Sequence, residues 1–350
     1  MVSIIIDNYN YGRFLREAIE SALRQTCRPI EVIVVDDGST DDSRNIICDY
    51  GDRVVPIFKD NGGQASALNA GFALSHGDVV IFLDADDVLL PGAAQRVIET
   101  FRANEAIAKI QYRMEVIDVD GRPTGKLKPA PHLPLRSGDI RRHHLTFPFD
   151  MVRMATSGNA FSARVLRQIF PIPEHVYRRV GADWYICYLA PLFGPVSFLE
   201  DVGAYYRVHG GNKFEPAAPV LELAHIRQAI LSVNVTRPYL EKFADQLHLP
   251  RRPGEILSVS DVANRVMSLK LDPSRHPLPD DRLGRLAWIG IRASLRRFDI
   301  AWLMKCFFVG WFLAMGLSPK PLARWLAEVL AFPERREPIN RLLGALHVNS

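Results

Sequence analysis

The chain has 350 residues, 48% hydrophobic and 23% charged, a balance that excludes a disordered or fibrous protein. Its net charge of +4 is too mild to imply a nucleic-acid partner. Cys27, Cys48, Cys187 and Cys306 lie too far apart for a metal knuckle or a disulfide frame, so they read as reduced, mostly buried thiols of a cytoplasmic protein, with no signal peptide ahead of them.

The first element is a strand, VSIIID. In the following NYNYGRFLREAIESALRQT, Phe14, Leu15, Ile19, Ala22 and Leu23 fall on one helical face. A second strand, EVIVV, ends in Asp36-Asp37 and runs into GSTDDS, whose Ser, Thr and Asp residues suit a helix N-cap. A third, RVVPIF, leads through the Gly-broken loop KDNGG into an Ala-rich helix. The fourth, VVIFLDADD, ends abruptly in Asp84, Asp86 and Asp87 with only Ala85 between them.

Strands that are continuous apolar runs, each followed by a helix, predict a mostly parallel sheet covered on both faces. Ligands of such sheets sit at the carboxyl ends of the strands. Three strands end in polar clusters there: Asp7 to Asn10, Asp36-Asp37, and Asp84 to Asp87. Crowded carboxylates repel one another and resist desolvation, so the last cluster needs a cation or hydrogen-bond donors. A divalent cation in that place faces a phosphate-bearing ligand.

Further along, MEVIDVDGRPTG reads as a hairpin turning at Asp120-Gly121. A long loop rich in Pro, His and Arg follows; its adjacent His143 and His144 are expected to be exposed rather than metal-bound. Asp183 opens the helix WYICYLAPLF just after Gly181, either as a cap or with its carboxylate aimed back into a cleft. After about Glu215 strand signals vanish, and helices are expected near 220–249, 255–271, 281–297, 299–316 and 320–331. The most apolar, DIAWLMKCFFVGWFLAMGL, is interrupted by Lys305 and too short to span a bilayer. It reads as a core helix, or as an in-plane membrane contact over residues 299–317 flanked by Arg292, Arg296, Arg297, Lys320 and Arg324 and carrying interfacial tryptophans.

SIIIDNYNYGRFLREAIESALRQT, EVIVVDDGSTDDS, the NGG…ALNAG loop and FLDADDVLLPG follow one another in the order and spacing of the family 2 inverting glycosyltransferases, and the resemblance runs from Val2 to about Asn212. It implies an α/β catalytic domain of the GT-A fold over residues 1–214, followed by an α-helical region over 215–350. It implies transfer of a sugar from a nucleotide-diphosphate donor, UDP- or TDP-linked, to a saccharide or lipid-linked acceptor in cell-surface polysaccharide or glycoconjugate synthesis. On that reading Asn8, Tyr9, Asn10, Asp36 and Asp37 hold the base and ribose, a carboxylate being the natural reader of an imide N–H. Gly62 and Gly63 allow close backbone approach, Asn69 orients the donor, and Asp84 binds ribose or supports the metal. Asp86 ligates Mg²⁺ or Mn²⁺, with His209 of the YR-x-H-like segment as a second ligand and Arg207 offsetting phosphate charge. Asp183 is the catalytic base, although Ala182 stands where the family commonly has a further acid. TSGNAFSARVL resembles the acceptor-side segment, which nominates Ser157, Gly158 and Asn159. The chain has ARW at Ala323–Trp325 without the Gln of a processive synthase, which favours single addition at the inner face of the membrane. Two rivals remain: a sugar-nucleotide nucleotidyltransferase, for which NYNYGRF is a poor phosphate loop, and a catalytically silent sugar-nucleotide binder.

Overall fold

In the computed structural model, residues 1–178, 180–212, 221–250 and 257–332 are described. The first elements alternate: β1 (Val2–Asn8), α1 (Gly12–Leu23), β2 (Ile30–Asp36), α2 (Ser43–Cys48), β3 (Val55–Phe58), α3 (Gln64–Ala73) and β4 (Val79–Asp84). Next come β5 (Val88–Leu89), α4 (Ala93–Ala103), β6 (Lys109–Ile117), β7 (Pro123–Lys128) and α5 (Arg141–Thr146). They are followed by β8 (Asn159–Ser162), α6 (Ala163–Ile169), α7 (Glu174–Tyr177), α8 (Asp183–Leu189) and β9 (Val196–Arg207). Helices alone complete the described chain: α9 (Leu223–Gln246), α10 (Val259–Leu271), α11 (Leu283–Arg296), α12 (Trp302–Leu317) and α13 (Lys320–Ala331).

The strands form one sheet in the order β3-β2-β1-β4-β8-β6-β9-β5, with β7 paired to β6. The first four are parallel, as their unbroken apolar runs require. The second half is mixed: β8 runs antiparallel to both β4 and β6, while β9 runs parallel to β6. Register fixes the site, because Asp7 pairs with Asp84 and Asn8 with Asp36. Three strands thus deliver their polar ends to one edge. Ile4, Ile6, Val32, Val34, Ile81 and Leu83 pack with Leu15 and Ile19 of α1 in a core from which water is excluded. Burying such a side chain stabilises by roughly 1.5–3 kcal/mol. The hairpin of β6 and β7 turns where expected, with Gly121 at φ +82°.

The chain forms two compact units. One comprises the described residues of Met1–Leu145, Met151–Gly211 and Val235–Arg251; the other, those of Thr146–Asp150, Asn212–Asn234 and Arg252–Ser350. The chain therefore passes between units more than once, beyond the single boundary expected near residue 214. In the second unit Val262, Val266, Leu286, Ala293, Trp311, Phe312 and Met315 form the core. Asp150 seats the start of α10 by accepting from Ser258 Oγ (2.9 Å) and the Val259 and Ser260 amides (2.9 and 2.7 Å), and it pairs with Arg297 at 2.9 Å. Helix α12 is a core helix with one wet face: Trp311, Phe312 and Met315 are buried, whereas Trp302, Leu313 and Leu317 are exposed. No helix among the described residues is long and apolar enough to cross a membrane.

Two expectations are corrected here. Cys27 and Cys187 are buried, but Cys48 and Cys306 are exposed. His143 and His144 are buried, because their loop coils into α5 and turns its histidine face inward. His144 Nε2 lies 2.6 Å from the Tyr188 carbonyl, and burial lowers its pKa to about 4, so the ring donates as a neutral imidazole.

Candidate active site

Asp84, Asp86 and Asp87 each offer a carboxylate oxygen within 4.8 Å of the others. The tight turn after β4 causes this, closed by the Asp87 amide donating to the Asp84 carbonyl at 3.0 Å. His209, just beyond β9, brings Nε2 to 3.0 Å from Asp86 Oδ2. Its ring is steadied by Tyr11 at 5.4 Å and Phe14 at 5.1 Å between centroids. Burial, and then the charge of Asp86, raises the pKa of Asp7 to about 7. Asp84 is raised by burial and by Asp7, and Asp87 by burial and by Asp86. Asp7 Oδ1 and Asp87 Oδ2 are buried with no hydrogen-bond partner among the described residues. Oxygen-rich, mutually repelling carboxylates with open acceptor atoms fit a hard divalent cation.

Around this cluster the loops are held by the strand-end side chains themselves. Asp37 accepts from the Gly62 amide (3.0 Å), the Gly63 amide (2.7 Å) and Lys59 Nζ (2.6 Å). Only glycines suit that loop: a Cβ at Gly62 would lie 2.5 Å from Ser66 Oγ, and Gly63 has φ +85°. Asp36 accepts from Asn8 Nδ2 at 3.0 Å, and more distantly, at 3.3 Å, from the Ser39 amide and Arg44 Nε. Asn8 also donates to Ser39 Oγ at 3.1 Å, and its own Oδ1 is buried with no hydrogen-bond partner among the described residues. Asn10 accepts from the Thr40 amide at 2.7 Å, while Tyr9 is exposed. The Ser/Asp loop after β2 is capped by Asp41, which accepts from the amides of Gly12 (2.9 Å) and Ser43 (3.1 Å).

Asp183 is buried at the first position of α8, with Ala182 as the cap residue and no capping bond from the side chain. Gly181 before it leaves room for this carboxylate, since a Cβ there would lie 2.5 Å from Asp183 Oδ1 and push it aside. Asp183 Oδ2 pairs with Arg153, whose guanidinium lies 4.7 Å from the Trp184 ring centroid. Gln64 links this helix start to the acidic cluster: Nε2 donates to Asp84 Oδ1 at 3.3 Å and Oε1 accepts from the Ala182 amide at 3.1 Å. Asp7 was marked from the sequence only as the start of the polar end of β1, without a role of its own. Gln64 and Arg153 were not singled out, and nothing local marks them.

Several nominated residues are engaged inside the fold. Asn69 donates to the Ile172 carbonyl at 2.9 Å and Glu174 Oε1 at 3.1 Å and accepts from the Ile172 amide at 2.8 Å, which ties α3 to the segment before α7. Ser157, Gly158 and Asn159 are buried rather than lining an acceptor surface. Ser157 Oγ accepts from the Asp84 amide at 3.0 Å, so it steadies the end of β4. Asn159 Nδ2 donates to the Ala155 and Thr156 carbonyls at 2.6 and 3.2 Å, closing its own turn. Arg207 is turned inward, against the expectation of a phosphate contact. It is fully buried, paired with Glu17, and Nε donates to the Asp86 carbonyl at 3.0 Å. Arg207→Met should therefore lower unfolding free energy on the order of 2–4 kcal/mol, since several carbonyls lose a charged donor. A urea titration reads this, and an unchanged midpoint with weakened nucleotide binding would restore the phosphate role.

A model of the family described as Glycosyl transferase family 2 matches residues 3–162. An uncharacterized glycosyltransferase of Nostoc sp. (strain PCC 7120) is 37% identical over 246 residues, covering 69% of this chain and 75% of the relative. Glycosyltransferase GlyG of Streptococcus pneumoniae serotype 4 is 34% identical over 126 residues, 35% of this chain and 42% of that protein. Among solved structures, S. aureus TarS 1–349 superposes with a TM-score of 0.54 at 17% identity, covering 93% of this chain and 90% of that 1–349 chain. The same protein in complex with UDP-GlcNAc gives 0.51 at 16% identity, with 93% and 90% coverage. With the mixed helix-flanked sheet and the acidic strand edge, these matches place the chain in glycosyl transferase family 2, on a GT-A fold followed by a helical C-terminal region.

Proposed function

We propose that the chain moves a sugar from a UDP- or TDP-linked donor to a hydroxyl of a saccharide or lipid-linked acceptor, with inversion and with Mg²⁺ or Mn²⁺, in cell-surface polysaccharide or glycoconjugate synthesis on the cytoplasmic side. The observation that carries this reading is the Gln64 bridge, which sets the start of α8, and with it Asp183, beside the Asp84–Asp87 cluster. The UDP-GlcNAc complex of TarS supports a uridine nucleotide as donor carrier. Asp37 Oδ2, which accepts one bond from the Gly63 amide, retains a lone pair for the imide N–H of uracil or thymine. The ribose then falls to Asn8, Tyr9, Asn10, Asp36 and Asp84.

Asp86, with Asp84, Asp87 and His209 around it, would hold the cation, which when bound neutralises charge on the departing diphosphate. Asp183 takes the proton as the acceptor oxygen attacks the anomeric carbon from the side opposite the leaving group. The C1–O bond breaks, and its electron pair leaves with the nucleoside diphosphate. Arg153 fixes the carboxylate orientation through its pair with Oδ2, and Trp184 fixes Arg153 in turn. Direct displacement by one base accounts for inversion.

A thermal-shift screen of nucleoside diphosphates with Mn²⁺ should show UDP or TDP stabilising the protein more than GDP or ADP. Incubation with the matching sugar nucleotide and saccharide acceptors should release nucleoside diphosphate. Pyrophosphate release would make the protein a nucleotidyltransferase, and binding without release would make it a silent binder.

A further inference from the structure

The charge of this chain is unevenly distributed. Residues 282–331 carry Arg282, Arg285, Arg292, Arg296, Arg297, Lys305, Lys320 and Arg324 against two acids, Asp299 and Glu328, so the rest of the chain is net acidic. Both acids are engaged within this stretch: the Asp299 carboxylate accepts from Arg297 at 2.5 and 2.7 Å with both groups buried, and Glu328 pairs with Arg324 at 3.6 Å along α13. Arg282 precedes α11, and the other basic residues lie on or between α11, α12 and α13, nearly all of them exposed.

The same three helices expose apolar surface. On α12, Leu303, Cys306, Gly310, Leu313 and Leu317 are all exposed, and their spacing of three and four residues puts them on one face without a charge. Trp302 (66% exposed) begins that helix, Trp288 (56%), Leu295 and Phe298 mark α11 and its end, and Leu322 and Trp325 (52%) mark α13. The helices are packed together: Lys305 Nζ donates to the Leu295 carbonyl at 3.3 Å, and Trp311 Nε1 to the Leu326 carbonyl at 2.9 Å. The exposed residues thus lie on the outer sides of helices that pack against one another.

We propose that this outer side docks in the plane of an anionic lipid bilayer. The stripe of α12 would lie at the boundary of headgroups and acyl chains, with tryptophans at its edges and arginines reaching phosphates. Charge selects this occupant. A second copy of the chain on the same face would oppose seven basic groups with seven more. A nucleic acid would leave the apolar stripe wet. Spanning is excluded by length, since 16 helical residues rise about 24 Å against a hydrocarbon core of ~30 Å.

The test is co-sedimentation of the full chain with phosphatidylcholine vesicles, with and without about a quarter phosphatidylglycerol. The chain should pellet with anionic vesicles at low salt, with a blue-shifted tryptophan emission, and be released by high salt. The W302S/W325S variant should bind anionic vesicles about tenfold more weakly, while its circular dichroism and nucleotide-induced thermal shift stay as in the parent. A second variant, R292E/R324E, should lose the preference for anionic over neutral vesicles. No binding at low salt would overturn the proposal, as would binding that both variants retain. A dimer in solution that W302S/W325S dissolves, without vesicle binding, would assign the face to a second copy instead. Vesicle binding gained only when residues 333–350 are removed would assign it to that segment.

Discussion

Asp183→Asn is expected to lose on the order of 10²–10⁴ in turnover while nucleotide affinity stays near that of the parent. The amide keeps the size of the carboxylate and can still accept from Arg153 through its oxygen, so α8 and the Gln64 bridge should not move. What it lacks is a basic oxygen for the acceptor proton, and only the chemical step suffers. Calorimetric titration of UDP or TDP beside steady-state kinetics separates binding from chemistry. Near-normal turnover would move the base elsewhere. Glu200 and Asp201 would be examined next, although both are exposed on β9 and Asp201 already pairs with Arg96 at 3.5 Å.

Asp86→Ala should abolish the thermal stabilisation that Mn²⁺ confers and, with it, donor binding, without unfolding the domain. Removing one of several repelling carboxylates relieves the others, because Asp86 is the largest charge acting on Asp87 and, after burial, on Asp7. The same repulsion gives a pH signature. The folded protein holds the Asp7 proton up to about pH 7, whereas the unfolded chain releases it near 4, so the stability from this group is present in acid and lost as pH rises through that window. Asp84 and Asp87 are shifted in the same direction. Metal-free parent protein should therefore lose stability relative to Asp86→Ala between about pH 4 and 7, and Mn²⁺ should restore it at neutral pH in the parent alone. Parallel pH profiles for the two proteins, or equal rescue by Mn²⁺, would remove Asp86 from the metal site.

Much of this candidate site is legible in the sequence. The apolar runs ending at Asp36 and Asp84 could form only buried parallel strands, and such strands present their polar ends along one edge. Helix periodicity marked α1 and the C-terminal helices to within a few residues, and Asp120-Gly121 marked the hairpin. All of these are local signals, set by side-chain period, caps and turns within a dozen residues.

What the sequence by itself determined, then, was the parallel half of the sheet, the acidic edge and the carboxylates that crowd there. Tertiary structure decided which polar residues face a ligand and which hold the fold together. Arg207, Asn69, Ser157 and His144 bear the same side chains as ligand contacts, yet each found its partners inside, because a buried donor or acceptor must be satisfied by whatever lies nearest in space. Gln64 reaches Ala182 across 118 residues, and Arg153 reaches Asp183 across 30. Such pairs leave no periodic trace in the chain, because they exist only once strand register and helix packing have brought distant segments together.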